Sequence, residues 1–413
     1  LLLAVTGLNV LMSQPLAPFL AKVGAFKREV GLPVFHAARI PDIATARHAI
    51  ADGLLDMVAM TRAHMADPQI VNKLMRGEED RIRPCVGASH CMYKKLACIH
   101  NPATGREQIL PQIVTPSPRP GRKVVVVGGG PAGLEAARVS AERGHKVVLF
   151  EAASRLGGQL LLAVRATWRR DLIAIVDWRT AELARLGVDV RLNTYAGAAD
   201  VRRERPDAVI VATGGMPDTA WLDGAEHCTT PWDILSGTVA AKDDVIVYDG
   251  TGRHQAPSCA LHLAEQGHRV QFVTLDDNMG LEMEYNARVV YRKRFAEHDV
   301  RITIDHQLER VQPSGNGLVA TFRHELTGTT LQLSAPQIVI ENGTVPMTET
   351  FDALRAGSIN GGITDIDALL AGERQSPTPP TDGAFELHRI GDAVSSRSVH
   401  AAIYDALRLC MAL

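Results

Sequence analysis

Three cysteines, Cys85, Cys91 and Cys98, fall within fourteen residues of RPCVGASHCMYKKLACIHNPATGRE at 83–107, and His90 stands beside the second. Thiolates at this density suit a soft metal or an iron–sulfur cluster. They equally suit a structural loop of free thiols, since an unmodified cysteine packs as a small hydrophobe. A second stretch, GGGPAG, places Gly128, Gly130, Pro131, Ala132 and Gly133 directly after the apolar run KVVVV and directly before a helical pattern. That is the context a dinucleotide fingerprint requires: the first glycine for a tight turn, the second for close approach of a pyrophosphate, the third for helix–strand packing. Glu151 follows the run KVVLF, 18 residues after Gly133, where a carboxylate would accept hydrogen bonds from an adenosine ribose. A glycine turn with a surface glutamate is the plain alternative, and it leaves the shared register of strand, glycines, helix, strand and acid unexplained.

The elements that must hold these residues alternate. PVFHA at 33–37, a helical stretch over 44–53 and DMVAM at 56–60 read as one βαβ unit, and a helix over about 68–76 precedes the cysteine loop. Four prolines between 111 and 120 mark a linker. Beyond it come strand 123–127, helix 131–143, strand 146–150, a long helix over about 167–186 and strand 207–212, the alternation of a parallel sheet. A second βαβ start lies at 244–248, with a helix over about 256–266 and a strand at 269–273, followed by period-two stretches around 308–333 that read as an antiparallel meander. A strand, turn and helix close the chain. No period of 20–50 residues recurs.

The chain has 413 residues, 44 Lys+Arg against 46 Asp+Glu and a formal net charge of -2, so it carries no basic field for a nucleic-acid backbone. With 46% apolar residues and 35 glycines it reads as an ordinary α/β protein acting on small molecules. Six unevenly spaced cysteines point to a reducing, cytoplasmic setting. The apolar start lacks a basic leading region and is broken by Ser13, Gln14 and Pro15, so it reads as core rather than as a targeting or membrane segment. The absent initiator methionine and a first unit that begins in mid-architecture suggest a piece of a longer polypeptide.

A second glycine turn, Asp249-Gly-Thr-Gly-Arg-His-Gln255, follows DVIVY. Its third glycine is replaced by Gln255, and Arg253 and His254 add bulk where a pyrophosphate would approach. A working NAD(P)H site and a retained fold without one both remain open. Asp276 and Asp277, after the next strand, would favour NADH over NADPH.

RLGGQ at 155–159, ATGG at 212–215 and GDA at 391–393 complete a set that resembles the two-dinucleotide flavoproteins. The resemblance implies FAD, with Arg155, Gly158 and Gln159 near it, Thr213 and Gly214 at a chain crossing and Asp392 at the ribityl chain. Over its whole length the chain resembles the Old Yellow Enzyme-like iron–sulfur flavoproteins, through PVFHAARI, DMVAMTRAHMADPQIVNKLMRGEEDRIRPCVG and CIHNPATGRE. That family includes 2,4-dienoyl-CoA reductase, trimethylamine dehydrogenase and N-methylproline or dimethylglycine demethylases. The resemblance implies the C-terminal part of an FMN-binding (β/α)8 barrel over 1–80, a cysteine loop and linker over 81–121, an FAD domain over 122–238 and 346–413, and an NAD(P)-like insertion over 239–345. It implies FMN phosphate near Arg39 and Arg62, whose forks suit a phosphate dianion.

The same resemblance implies a 4Fe–4S cluster on Cys85, Cys91 and Cys98, but Ala88 stands where a further cysteine belongs and the Met92–Ala97 spacer is short. A cluster with an unusual fourth ligand such as His90, a three-cysteine site for another metal such as zinc, and a loop of free thiols all stay open. The function implied is electron transfer between substrate, FMN, the cluster and FAD, in oxidation or demethylation of an N-methylated amine with delivery to an acceptor protein. An NAD(P)H-dependent enoate reductase and a noncatalytic FAD module are the alternatives. The catalytic residues and any homo-oligomer are left unassigned.

Overall fold

The computed structural model describes residues 12–92, 96–375 and 383–413. The apolar start at 1–11 and the middle of the Met92–Ala97 spacer lie outside them, as do the expectations placed there. The chain divides into two compact units, one drawn from Leu1–Leu160, Asp171–Gly214 and Met347–Leu413, the other from Leu161–Arg170 and Gly215–Pro346.

In the first unit, five parallel strands run in the order Glu386–Arg389, Ala208–Val211, Lys123–Val127, Lys146–Phe150, Asp189–Arg191. Near-continuous apolar runs are what a sheet covered on both faces requires, and Val124 to Val127 and Val147 to Phe150 are all buried. One face packs Val125, Val127, Val148, Phe150, Val209 and Leu387 against Phe351 and Leu354. Helix Pro131–Glu142 lies between the central strand and the C-terminal helix Val399–Ala412. Because the glycine turn follows the central strand, the helix N-terminus opens at the carboxyl edge of the sheet. The proline-rich segment is tied to this unit by Ser117 N to Arg143 O, 2.8 Å.

Ahead of it, Phe35–His36 and Met57–Val58 pair in parallel across helix Ile43–Ala51, giving the βαβ unit a small core of Leu20, Val23, Ile40, Ala46, Ala49 and Leu55. Asp42 caps that helix through Thr45 N at 2.8 Å. The helix expected over about 68–76 is Ile70–Met75.

The second unit has a four-stranded parallel sheet in the order Arg301–Thr303, Arg269–Thr274, Asp244–Asp249, Gln337–Glu341. Helix Gln255–Glu265 packs on one face, and the antiparallel meander His306–Ser314, Gly317–His324 and Thr330–Ala335 packs on the other. The long helix expected over about 167–186 is a 3-10 segment, Thr167–Ile173, followed by helix Ala174–Arg185. The break has a cause in the chain path: residues through Arg170 belong to the second unit and Asp171 onward to the first. Among the described residues no helix is long and apolar enough to cross a membrane.

Candidate functional site

The sheet ends at Val127, and Gly128 turns the chain with φ +105° while its N–H donates to Phe150 O at 2.8 Å. A Cβ on Gly128 would stand 2.4 Å from Ala212 O, and one on Gly133 would stand 1.8 Å from Gly128 O, so neither position accepts a side chain as built. Gly130 precedes the helix in extended backbone, and Pro131 is its first residue, where a missing N–H costs nothing. The N–H groups of Gly130, Ala132 and Gly133 meet no protein acceptor among the described residues. Three open amides at the N-terminus of a twelve-residue helix make an anion cradle, with the helix dipole favouring negative charge.

Glu151 stands beside that cradle. Its carboxylate accepts from Gly129 N at 2.6 Å and from Ala153 N at 2.7 Å, which holds it at the turn in reach of a hydroxyl-bearing ligand. The RLGGQ loop folds onto the same turn: Gly157 N donates to Gly129 O at 2.9 Å, and Gly158 packs against Gly130. Gln159 then reaches Asp392, 3.5 Å away, and Gly391 approaches Ala132 so closely that a Cβ there would lie 2.9 Å from it. Thus Gly128, Gly130, Pro131, Ala132, Gly133, Glu151, Gly158, Gln159 and Asp392 come together from four separated segments. Thr213 and Gly214 sit behind the turn at a crossing, tied to Met347 by Thr213 Oγ1 to Met347 O at 2.8 Å and Met347 N to Gly214 O at 3.0 Å. Arg155 is exposed on the loop.

Under the helix lies a buried ionic cluster with no counterpart in the sequence reading. Glu135 accepts from Arg138 at 2.7 Å and from Arg179 at 2.8 Å, and all three are buried. Burial alone would raise the Glu135 carboxyl, but Arg138 and Arg179 outweigh it and hold the group well below the ordinary carboxylate range. Burial pushes Arg179 down to about 10. Arg179 also donates to His100 O at 3.1 Å, Arg83 lies over the Trp178 ring at 4.6 Å, and Trp178 donates to Arg81 O at 3.0 Å. These contacts fasten both ends of the cysteine loop to the first unit.

Cys85, Cys91 and Cys98 line one small cleft with Arg62, Met65, Ala88 and His90. None of the three is in a disulfide, and burial raises the Cys98 thiol although the backbone N–H groups of Asn101 and His100 favour its thiolate. The His90 and His400 rings lie tilted at 33° with centroids 4.8 Å apart. Among the described residues no three His, Cys, Asp or Glu side chains are placed to hold one metal ion. The cleft therefore gathers three sulfurs without presenting the four-thiolate set of a cubane cluster. Arg62 lies in this cleft, whereas Arg39 pairs with Asp171 at 2.8 Å and lays its guanidinium against Gly87.

Residues 122–374 match the family model described as pyridine nucleotide-disulphide oxidoreductase. The chain is 49% identical over 404 residues to a multifunctional alkene reductase/demethylase OYE of Caballeronia cordobensis, covering 97% of this chain and 60% of that protein. It is 46% identical over 399 residues to a probable N-methylproline demethylase of Rhizobium meliloti, covering 95% and 59%. Among solved structures, a 6-hydroxypseudooxynicotine amine oxidase from Pseudomonas geniculata superposes with a TM-score of 0.85 at 26% identity, covering 98% of this chain and 60% of that one. The chain thus spans about 60% of the length of these two relatives.

Proposed function

Since this chain belongs to the pyridine nucleotide-disulphide oxidoreductase family, a family of flavin-dependent enzymes, we propose that it is the FAD-binding portion of an oxidoreductase acting on N-methylated amines. The observation that carries the reading is the convergence of Glu151, Gly158, Gln159 and Asp392 on the three open amides of Gly130, Ala132 and Gly133. The amides would bind the pyrophosphate, Glu151 the adenosine ribose, and Asp392, steadied by Gln159 and by Arg397 N at 3.1 Å, the ribityl hydroxyls. FAD, when bound, supplies a two-electron acceptor that the protein's own side chains lack. The residues' part is to fix its position and, by packing Leu156 and Leu160 behind the turn, to exclude water there.

The amine substrate is suggested by the demethylase named among the relatives. The parallel Phe35–His36 and Met57–Val58 pair supports a barrel segment, and Arg62, in the helix Thr61–Ala66 that follows the second of these strands, is retained with Arg39 as a candidate for an FMN phosphate. Arg39 would first have to leave Asp171. No electron step is assigned to the cysteine cleft, whose donor set is one sulfur short. Reduction of an alkene is the second reading, favoured by the paired activities in the name of the Caballeronia relative. Two anaerobic assays of the purified protein separate the readings, one with N-methylated amino acids and an artificial acceptor, the other with an activated alkene and dithionite as donor: release of formaldehyde in the first supports amine demethylation, and alkene reduction in the second without amine oxidation in the first overturns it.

A further inference from the structure

The two units carry two glycine turns at the same place in the same kind of sheet; both spend their first two amides inside the chain, Gly128 N on Phe150 O and Gly129 N on Glu151 in the first, and they part from the third amide onward. In the first turn, Gly130, Ala132 and Gly133 keep their N–H groups open. In the second, Gly250 N donates to Glu341 O at 2.8 Å, Thr251 N and Gly252 N both donate to Asp249 Oδ1 at 3.1 and 3.0 Å, and Arg253 N donates to Thr251 Oγ1 at 3.4 Å. Every amide from 250 to 253 is spent inside the chain, two of them on a single buried carboxylate.

The backbone differs to match. Gly128 has φ +105° and Gly130 is extended, whereas in the second turn Gly252 has φ +63° and bends the amides back toward Asp249. The helix starts at Gln255, two positions later relative to the turn than Pro131 does in the first, and Pro257 removes a further donor from its opening turn. Charge points the same way. Asp249 is fully buried, Asp276 Oδ2 would stand 2.4 Å from a Cβ on Gly252, and buried Glu341 adjoins them, with Arg253 as the nearby cation. A dinucleotide pyrophosphate would need amides that the Asp249 carboxyl oxygen already fills.

We propose that Asp249 takes the place of the pyrophosphate in the second unit, so that this turn is closed to NADH and NADPH and Asp249 is the residue that determines it. The open cradle of the first unit and the filled one of the second then divide the labour: one nucleotide is held, and the second unit keeps the fold of a nucleotide site without the ligand. The inference does not rest on the amine-oxidation reading, since it concerns amides of the other unit.

The test is titration of the purified holoenzyme with NADH and NADPH, read by the nicotinamide's own fluorescence and by hydrogen exchange of peptides covering 249–256. The wild-type protein is expected to give no saturable signal up to about 1 mM and no added protection of those amides. Asp249→Ala frees two amides, and is expected to bind NADH at least tenfold more tightly than wild type. Asp249→Asn keeps an oxygen on both amides and is expected to stay closed. Wild-type binding with a dissociation constant below about 100 μM overturns the proposal, as does a folded Asp249→Ala protein with no gain. If the alanine variant fails to fold, the wild-type titration and exchange data still decide, because protection of Thr251 and Gly252 by NADH contradicts a filled cradle.

Discussion

Gly133→Ala isolates the packing on which the first cradle depends. The new Cβ would stand 1.8 Å from Gly128 O, and a carbon–oxygen contact settles at about 3.3 Å. The helix Pro131–Glu142 must therefore retreat by about 1.5 Å, the rise of one helical residue. It cannot do so freely, because Leu134, Ala136, Ala137 and Val139 are fully buried between the sheet and helix Val399–Ala412. Overpacking of this kind costs about 1–3 kcal/mol of stability. The same retreat carries the amides of Ala132 and Gly133 away from the pyrophosphate, for a loss of at least about tenfold in FAD affinity, or about 1.4 kcal/mol. Gly144→Ala is the control: its φ is +92° but nothing lies within 4 Å of a Cβ, so it carries backbone strain of about 1 kcal/mol without a clash. The assay is reconstitution of deflavinated protein with FAD, followed by flavin fluorescence, beside thermal melts of both variants. A Gly133→Ala protein that binds FAD as tightly as the Gly144→Ala control would refute the reasoning.

Arg179→Met should destabilise the first unit by about 3–5 kcal/mol, because it leaves Glu135 buried with one of its two guanidinium partners and frees the His100 carbonyl; chemical denaturation measures it, and a loss below 1 kcal/mol would show that the cluster is dispensable. The second unit should respond to pH in the opposite sense to a surface-paired acid. Burial pushes Asp249 up to about 7 and Glu341 up to about 8, so the folded state holds protons that the unfolded chain releases near pH 4. The stability these groups contribute is complete below about pH 4 and is lost as pH rises through 7 to 8. Melting of the second unit should accordingly fall between about pH 4 and 8 and level off above, and Asp249→Asn should flatten that fall, whereas an unchanged slope in the variant would remove Asp249 as its source.

Much of the first site was legible in the chain. KVVVV and KVVLF are β-branched and apolar enough to be central strands in any context, and glycines in register with them leave little else for the turn to be. The buried ions were not legible, since Glu135, Arg138 and Arg179 lie on helices whose charged residues ordinarily mark the solvent face. Here they face one another beneath the cysteine loop, and only tertiary packing reveals it. For the second turn, the sequence directs attention to the bulk of Arg253 and His254 and to the missing third glycine. The structure draws attention instead to Asp249, which the sequence presents only as the first residue of that turn. Cys85, Cys91 and Cys98, close in the chain, also line one cleft, but the absent fourth sulfur is a matter of composition at Ala88 that folding does not mend.

The most direct measurement is the identity and amount of flavin released from the purified protein. One FAD per chain, lost on Gly133→Ala and kept on Asp249→Asn, is the expected result. Protein that is folded by melting yet releases no FAD, and takes none up on reconstitution, would contradict the assignment of the Gly128–Gly133 turn.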